Sequence, residues 1–199
     1  MSRRIALLGL LLAFAGCSFF SRSKSRFFSL ERIPPTTSSA AGSTSVTATA
    51  TPMRGIPIGI DGIELPPGVD RREIVVQKAD HQLEVRSTDQ WSAAFSDAVL
   101  HTLAFDLAAR MPEGMMILPG ETIPAGATRG LSIAVAEFSA GPANTITLDA
   151  HWTLRAPGVA AISHREQITI DIASLDSAQI ADGMSRALAA LADRIAAQV

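Results

Sequence analysis

The chain of 199 residues contains one cysteine, no tyrosine and two tryptophans, and aromatic side chains make up 5% of it. A single cysteine excludes an internal disulfide, and it excludes a Cys-x-x-Cys zinc or redox site built from this chain alone. Charge of one sign is also missing. Lys and Arg number 17 against 19 Asp and Glu, a formal charge of -2, so no net positive field draws in a polyanionic backbone and nucleic acid is not an expected partner. The apolar run over residues 5–15 is too short to span a hydrocarbon core, which takes about 20 residues. Motifs for hydrolytic, dinucleotide and nucleotide chemistry (GxSxG, GxGxxG, Walker A, HExxH) do not occur, and His81, His101, His151 and His164 stand far apart. No catalytic activity, metal or cofactor is therefore expected. With 47% hydrophobic and 18% charged residues, the length suits one globular domain plus appendages.

What is present begins at the N-terminus. Met1-Ser2-Arg3-Arg4 is a basic n-region, residues 5–15 are an apolar h-region, and Ala15-Gly16 supplies small residues before Cys17. These are the three parts of a secretory signal peptide over residues 1–16. Small residues before a cysteine at the end of such a run resemble a bacterial lipobox, with Phe14 where an aliphatic residue is usual. That resemblance implies cleavage between Gly16 and Cys17 and acylation of the Cys17 thiol by chains such as palmitate. Each buried methylene contributes roughly 0.8 kcal/mol, and more than one chain is needed for stable anchoring. Ser18 rather than Asp follows the cysteine, which by the same resemblance directs the protein to the periplasmic face of the outer membrane. Residues 17–26 then form a lipidated tether whose Arg22, Lys24 and Arg26 are suited to anionic head groups or simply to solvent.

Residues 27–199 read as a single α+β domain. Residues 27–30 suggest a short strand, and residues 34–52 (PPTTSSAAGSTSVTATATP) are uncharged and poor in large apolar groups, the composition of a disordered loop. Ile56, Ile58 and Ile60 alternate with Pro57 and Gly59, and the prolines there imply an edge strand or a loop. Residues 73–77 and 82–86 make a hairpin. Thr88-Asp89 is placed to cap a helix with Trp91 in its first turn and with Phe95, Val99, Leu103 and Leu107 on one face, ended by Met111-Pro112. Residues 115–118 suggest a short strand, and residues 131–138, 145–155 and 162–172 alternate as successive antiparallel strands. A final helix starts near Asp176 with a stripe of Ile180, Met184, Leu188, Leu191 and Ile195. The expected architecture is a mainly antiparallel sheet with two helices packed on one face.

Asp149 and His151 share a strand face and are the best enzyme-like pair, although the solvated face of a half-buried sheet carries such residues anyway. Asp106 beside the first helix stripe and Glu137 beside Phe138 read as surface or locally bonded carboxylates. Trp91 and Trp152 sit in apolar periodicities and read as core anchors. Phe95, Leu103, Phe105, Met184 and Leu191 would line a lipid-binding cleft between helices and sheet, or else an ordinary core.

The order of segments is informative: the lipobox cysteine, Phe27-Phe28-Ser29-Leu30, Ile58-Gly59-Ile60 leading to Leu65-Pro66, Asp70-Arg71-Arg72-Glu73-Ile74-Val75, then Trp91 before a helix, and Leu148-Asp149-Ala150-His151-Trp152 before the last. This resembles the ABC-type transport auxiliary lipoprotein family, which includes the paraquat-inducible lipoprotein PqiC. The departures are Phe27-Phe28, where tyrosines are common, and the long 34–52 segment. The resemblance implies a membrane-anchored periplasmic auxiliary subunit of a lipid transport system, docking an MCE-domain substrate-binding protein that works with an ABC transporter. A periplasmic lipid carrier and a purely structural envelope lipoprotein are the alternatives. Unpaired strand edges make a homo-oligomer credible.

Overall fold

The computed structural model describes residues 24–35, 55–123 and 128–199. The expected signal peptide, Gly16, Cys17 and most of the 34–52 segment lie outside the described residues. The elements run β1 (Arg26–Phe28), β2 (Ile58–Glu64), β3 (Glu73–Gln77), β4 (Leu83–Trp91), α1 (Phe95–Ala108), β5 (Met116–Ile117), β6 (Arg129–Gly141), β7 (Thr145–Ala156), β8 (Val159–Asp171) and α2 (Ser177–Ala196).

The fold is α+β, but the expectation of a mainly antiparallel sheet is corrected. The eight described strands form one mixed sheet in which β1–β4, β2–β5, β2–β6 and β3–β6 pair parallel, while β3–β4, β6–β7 and β7–β8 pair antiparallel. The physical reason is local. Antiparallel neighbours joined by short turns announce themselves in sequence, such as Gly141 to Thr145 and the Pro157-Gly158 turn, where Gly158 takes a φ of 73°. Parallel neighbours need long crossovers and carry no such signal. The long strand β6 makes the mixture possible. One of its edges pairs with β7 throughout, and the other is shared between β2, from Arg129 to Ala134, and β3 at Ala140.

Two further expectations change. Strand β2 lies between β5 and β6 rather than at an edge, because Pro57 precedes it and spends only its carbonyl, on the Arg129 amide at 2.8 Å, while Ile58 N–H reaches the Met115 carbonyl at 2.9 Å. Thr88, Asp89 and Trp91 do not open a helix; they end β4, held extended by the parallel partner β1. Helix α1 starts at Phe95 and is capped from a distance, its Ser96 amide donating to Asp70 Oδ1 at 3.1 Å.

Both helices cover the face of the sheet that carries Ile146, Leu148 and Phe138. Phe95 of α1 meets Phe138 with ring centroids 5.7 Å apart and stacks on Trp91 at 4.8 Å. The α2 stripe of Ile180, Met184, Leu188, Leu191 and Ile195 is buried as its spacing predicts. At Gly183 a side chain is excluded, since a Cβ would stand 2.5 Å from Ile172 Cγ2 and 2.7 Å from Ile146 Cγ1.

Candidate functional site

The chain that leaves the expected tether, residues 26–33, is fastened across both helices. Arg26 donates from Nε to Asp89 Oδ1 at 2.8 Å and from Nη2 to Oδ2 at 2.6 Å, and Ser177 at the start of α2 donates its hydroxyl to the same Oδ2 at 2.5 Å. Arg86 completes this end by donating to Ser177 Oγ and to the Leu175 carbonyl. Asp89 is only 3% exposed, and hydrogen bonding from Arg26 holds its carboxyl below the usual range.

The strap continues with one backbone–backbone bond and two strap amides whose acceptors are helix side chains. Ser92 N–H reaches the Phe28 carbonyl, Glu31 N–H reaches Ser185 Oγ at 3.0 Å, and Ile33 N–H reaches Asp106 Oδ1 at 2.9 Å. Arg110 ties the end down, donating to the Ile33 carbonyl at 3.0 Å and to Asp193 Oδ1. The Arg32 guanidinium stands 3.3 Å over the Phe105 ring. Asp106, 1% exposed, is thus not the surface carboxylate its sequence position suggests. Burial pushes its carboxyl up, and its Oδ2 has no hydrogen-bond partner among the described residues.

The remaining candidates are engaged elsewhere. Asp149 is clasped by Arg165 at 2.9 and 2.5 Å, which lowers its pKa, while His151 is exposed and lines an open groove of about 420 Å³ with Asp61, Glu64, Ser132 and Arg155. Glu137 accepts from Ser139 Oγ at 2.6 Å. Trp91 and Trp152 are core residues; Trp152 stacks on His164 at 4.8 Å and its indole N–H is unpaired among the described residues. Of the two readings of the helix–sheet interface, the structure shows the ordinary core and not a lipid cleft. Phe95, Leu103, Met184 and Leu191 are packed core, Phe105 lies under Arg32, and the surface grooves are lined by other residues. His81 takes a φ of 63° in the β3–β4 turn, and His101 lies exposed on α1, far from the other histidines in the chain.

A second region was silent in the sequence. Near the end of α2, Arg194 donates to Glu166 Oε2 and to the Gln167 carbonyl of β8. Beyond that point the β7–β8 hairpin runs past the helices, and residues 159–163 are exposed on both faces of the strand. Val159 and Ile162 are 68% and 42% exposed.

Similarity to known proteins now adds to this geometry. A family model described as the ABC-type transport auxiliary lipoprotein component matches residues 37–196. The chain belongs to this family. Among curated proteins no sequence matches it. Two crystal structures share the fold of this auxiliary lipoprotein: that of an uncharacterised protein, with 12% identity, a TM-score of 0.68 and coverage of 88% of this chain and 98% of the other, and that of a protein from Xanthomonas campestris, with 15% identity, a TM-score of 0.62 and coverage of 86% and 93%. The family associates the auxiliary lipoprotein with an ABC transport system and with the cell envelope, and describes a transport component rather than an enzyme.

The strap was not legible beforehand because its partners are 63 to 154 residues away in sequence. The available signal was Asp106 and Arg110, charged residues within the otherwise apolar run from Leu103 to Met111.

Proposed function

We propose that this auxiliary lipoprotein is anchored through acylated Cys17 to the periplasmic face of the outer membrane and there docks the MCE-domain component of a lipid transport system. In this reading residues 1–16 are removed as a signal, residues 17–26 are the tether and residues 27–199 are the docking domain. The observation that carries it is the strap: a family of transport auxiliaries has here a domain whose N-terminal strand is locked by Arg26, Asp89 and Ser177 at the point where the tether enters. Such a lock fixes the point at which the tether leaves the domain and so keeps that point within reach of the anchor. The nine residues from Ser18 to Arg26 extend at most about 30 Å. Anchoring raises the local concentration of a docking surface, and several copies around one partner multiply weak contacts. The filled helix–sheet interface weighs against a lipid carrier.

The test is crosslinking of the lipidated protein in cells, affinity purification and identification of the attached chains. The expected result is an MCE-domain subunit, with membrane association of the complex abolished in Cys17→Ser. Abundant co-purified lipid and no protein partner would replace docking by a carrier role.

A further inference from the structure

We propose that the groove between β2 and β7, on the face of the sheet turned away from the helices, binds a zwitterion of the phosphoethanolamine type. Such a ligand carries a primary ammonium and a phosphodiester a few bonds apart, and it can arrive as a lipid head group or as a free solute. The site lies outside the helix–sheet core and does not depend on the docking reading.

The groove is built along β6. Leu131 and Ile133 of that strand are buried in the core, so Ser132 and Ala134 between them face the other way. The register sets Gly62 beside Ser132 on the β2 side, and it places Glu64 and His151 on either side of Ala134 and Arg155 beside Gly130. Between the pairs Ile60 with Leu131 and Gly62 with Ser132, β2 carries one extra residue, Asp61. Such bulges are rare in parallel pairs, and they re-aim a side chain. Here the Asp61 carboxylate lies against Gly130, where a Cβ would collide with it. The result is a floor of small residues with Asp61 and Glu64 on one wall and Arg155 and His151 on the other, enclosing the open volume of about 420 Å³.

The two walls select the ligand. Their strands are two sheet spacings apart, about 10 Å between backbones. No ion pair among the described residues engages Asp61, Glu64, His151 or Arg155, so the opposed charges are left unneutralised. A simple anion would be repelled by the carboxylate wall and a simple cation by the guanidinium wall, whereas a zwitterion meets both signs in order. The positive group is a primary ammonium, because its three N–H donors suit two carboxylates. A quaternary ammonium has no donor and is recognised by aromatic faces, and no aromatic side chain lines this groove. The negative group is a phosphate oxygen pair, which matches the guanidinium fork. Arg155 Nη1 donates to Ser132 Oγ at 2.9 Å, which leaves the Ser132 hydroxyl hydrogen free to donate to the same phosphate, with His151 beside it.

The test uses the full chain purified from membranes in a nonionic detergent and freed of lipid, with amide shifts of Ser132 and Ala134 followed by NMR. The probes are glycerophosphoethanolamine, glycerophosphocholine and inorganic phosphate. The expected result is saturable binding of the ethanolamine compound, weakened by salt, with the choline compound and phosphate at least about tenfold weaker. Asp61→Asn/Glu64→Gln brings the ethanolamine compound down to the level of the choline compound, and Arg155→Gln weakens it at least about tenfold. Glu113→Gln, on an exposed loop, leaves binding unchanged. Thermal melting confirms that the variants fold, which the exposure of all three side chains favours. Nanodiscs with and without phosphatidylethanolamine then assign the source. A response at Ser132 to the ethanolamine lipid marks a head group, and a response to the soluble compound alone marks a free solute; either outcome supports the site. Equal binding of the choline compound or of phosphate would overturn it, as would undiminished binding in Arg155→Gln. Absence of any saturable shift at about 10 mM ethanolamine compound would overturn it as well.

Discussion

The two ends of the domain treat their backbone and side chains in opposite ways. Around the strap, Asp89 of β4, Asp106, Ser177 and Ser185 of the helices and Arg110 just beyond α1 hold a short segment by hydrogen bonds, most of them charge-assisted. At the hairpin tip there are alanines, a valine and an isoleucine in solvent, with no side-chain commitment within the chain over residues 156–162 among the described residues. The first end is built to stay closed, since removing a partner there strands a buried polar group. The second has nothing to lose by meeting another chain and apolar surface to gain.

The comparison is broken most strongly from beneath. Gly183→Ala, which forces a Cβ into Ile172 and Ile146 under the strap end, is expected to destabilise by about 1–3 kcal/mol in denaturant melts without touching the tip.

Asp89→Asn should open the strap with a smaller loss of stability, seen as faster hydrogen exchange at Ser92 and Glu31. The sign with pH follows from its lowered native pKa: the wild-type advantage is present above the ordinary carboxylate value of about 3.9 and fades as pH falls through the native value. The difference between variant and wild type should shrink on acidification accordingly.

Asp106→Asn sharpens the contrast from the other side. Burial raises the native pKa, so the wild-type chain takes up this proton before the unfolded chain does. It gains stability as pH falls from that raised value towards about 3.9, and loses it as pH rises. The asparagine variant should lack that slope in melts followed across the window.

The smallest effect belongs to the tip. Val159→Thr and Ile162→Thr are expected to change stability by no more than about 0.5 kcal/mol, because these side chains are not buried in the isolated domain. A large loss would show that the tip is part of the fold after all.

Much of the fold was readable in advance for identifiable reasons. The alternation of Ile146, Leu148, Ala150, Trp152 and Leu154 has the period of a strand with one buried face, and the α2 stripe has the period of a helix, so both survive whatever surrounds them. The turns at 141–145 and 156–159 are written in Gly, Pro and Asn. Thr88-Asp89 misled because a cap signal is only a local preference. A strand from the N-terminus, paired at Asp89, Gln90 and Trp91, overrode it. Asp106 misled because periodicity reports which residues are apolar and says nothing of a remote backbone N–H, here that of Ile33, which needs an acceptor.

By itself, then, the sequence determined the two-layer α+β character, the hairpins, the apolar faces of both helices and the family resemblance. All of these depend on residue order within one element or between neighbours. Only the tertiary structure decided the mixed sheet, the strap closed by Arg26 and Asp89, and the tip left bare where α2 ends. Each of these depends on which distant segments meet and on how far one element extends over another, and neither quantity has a local signature in the chain.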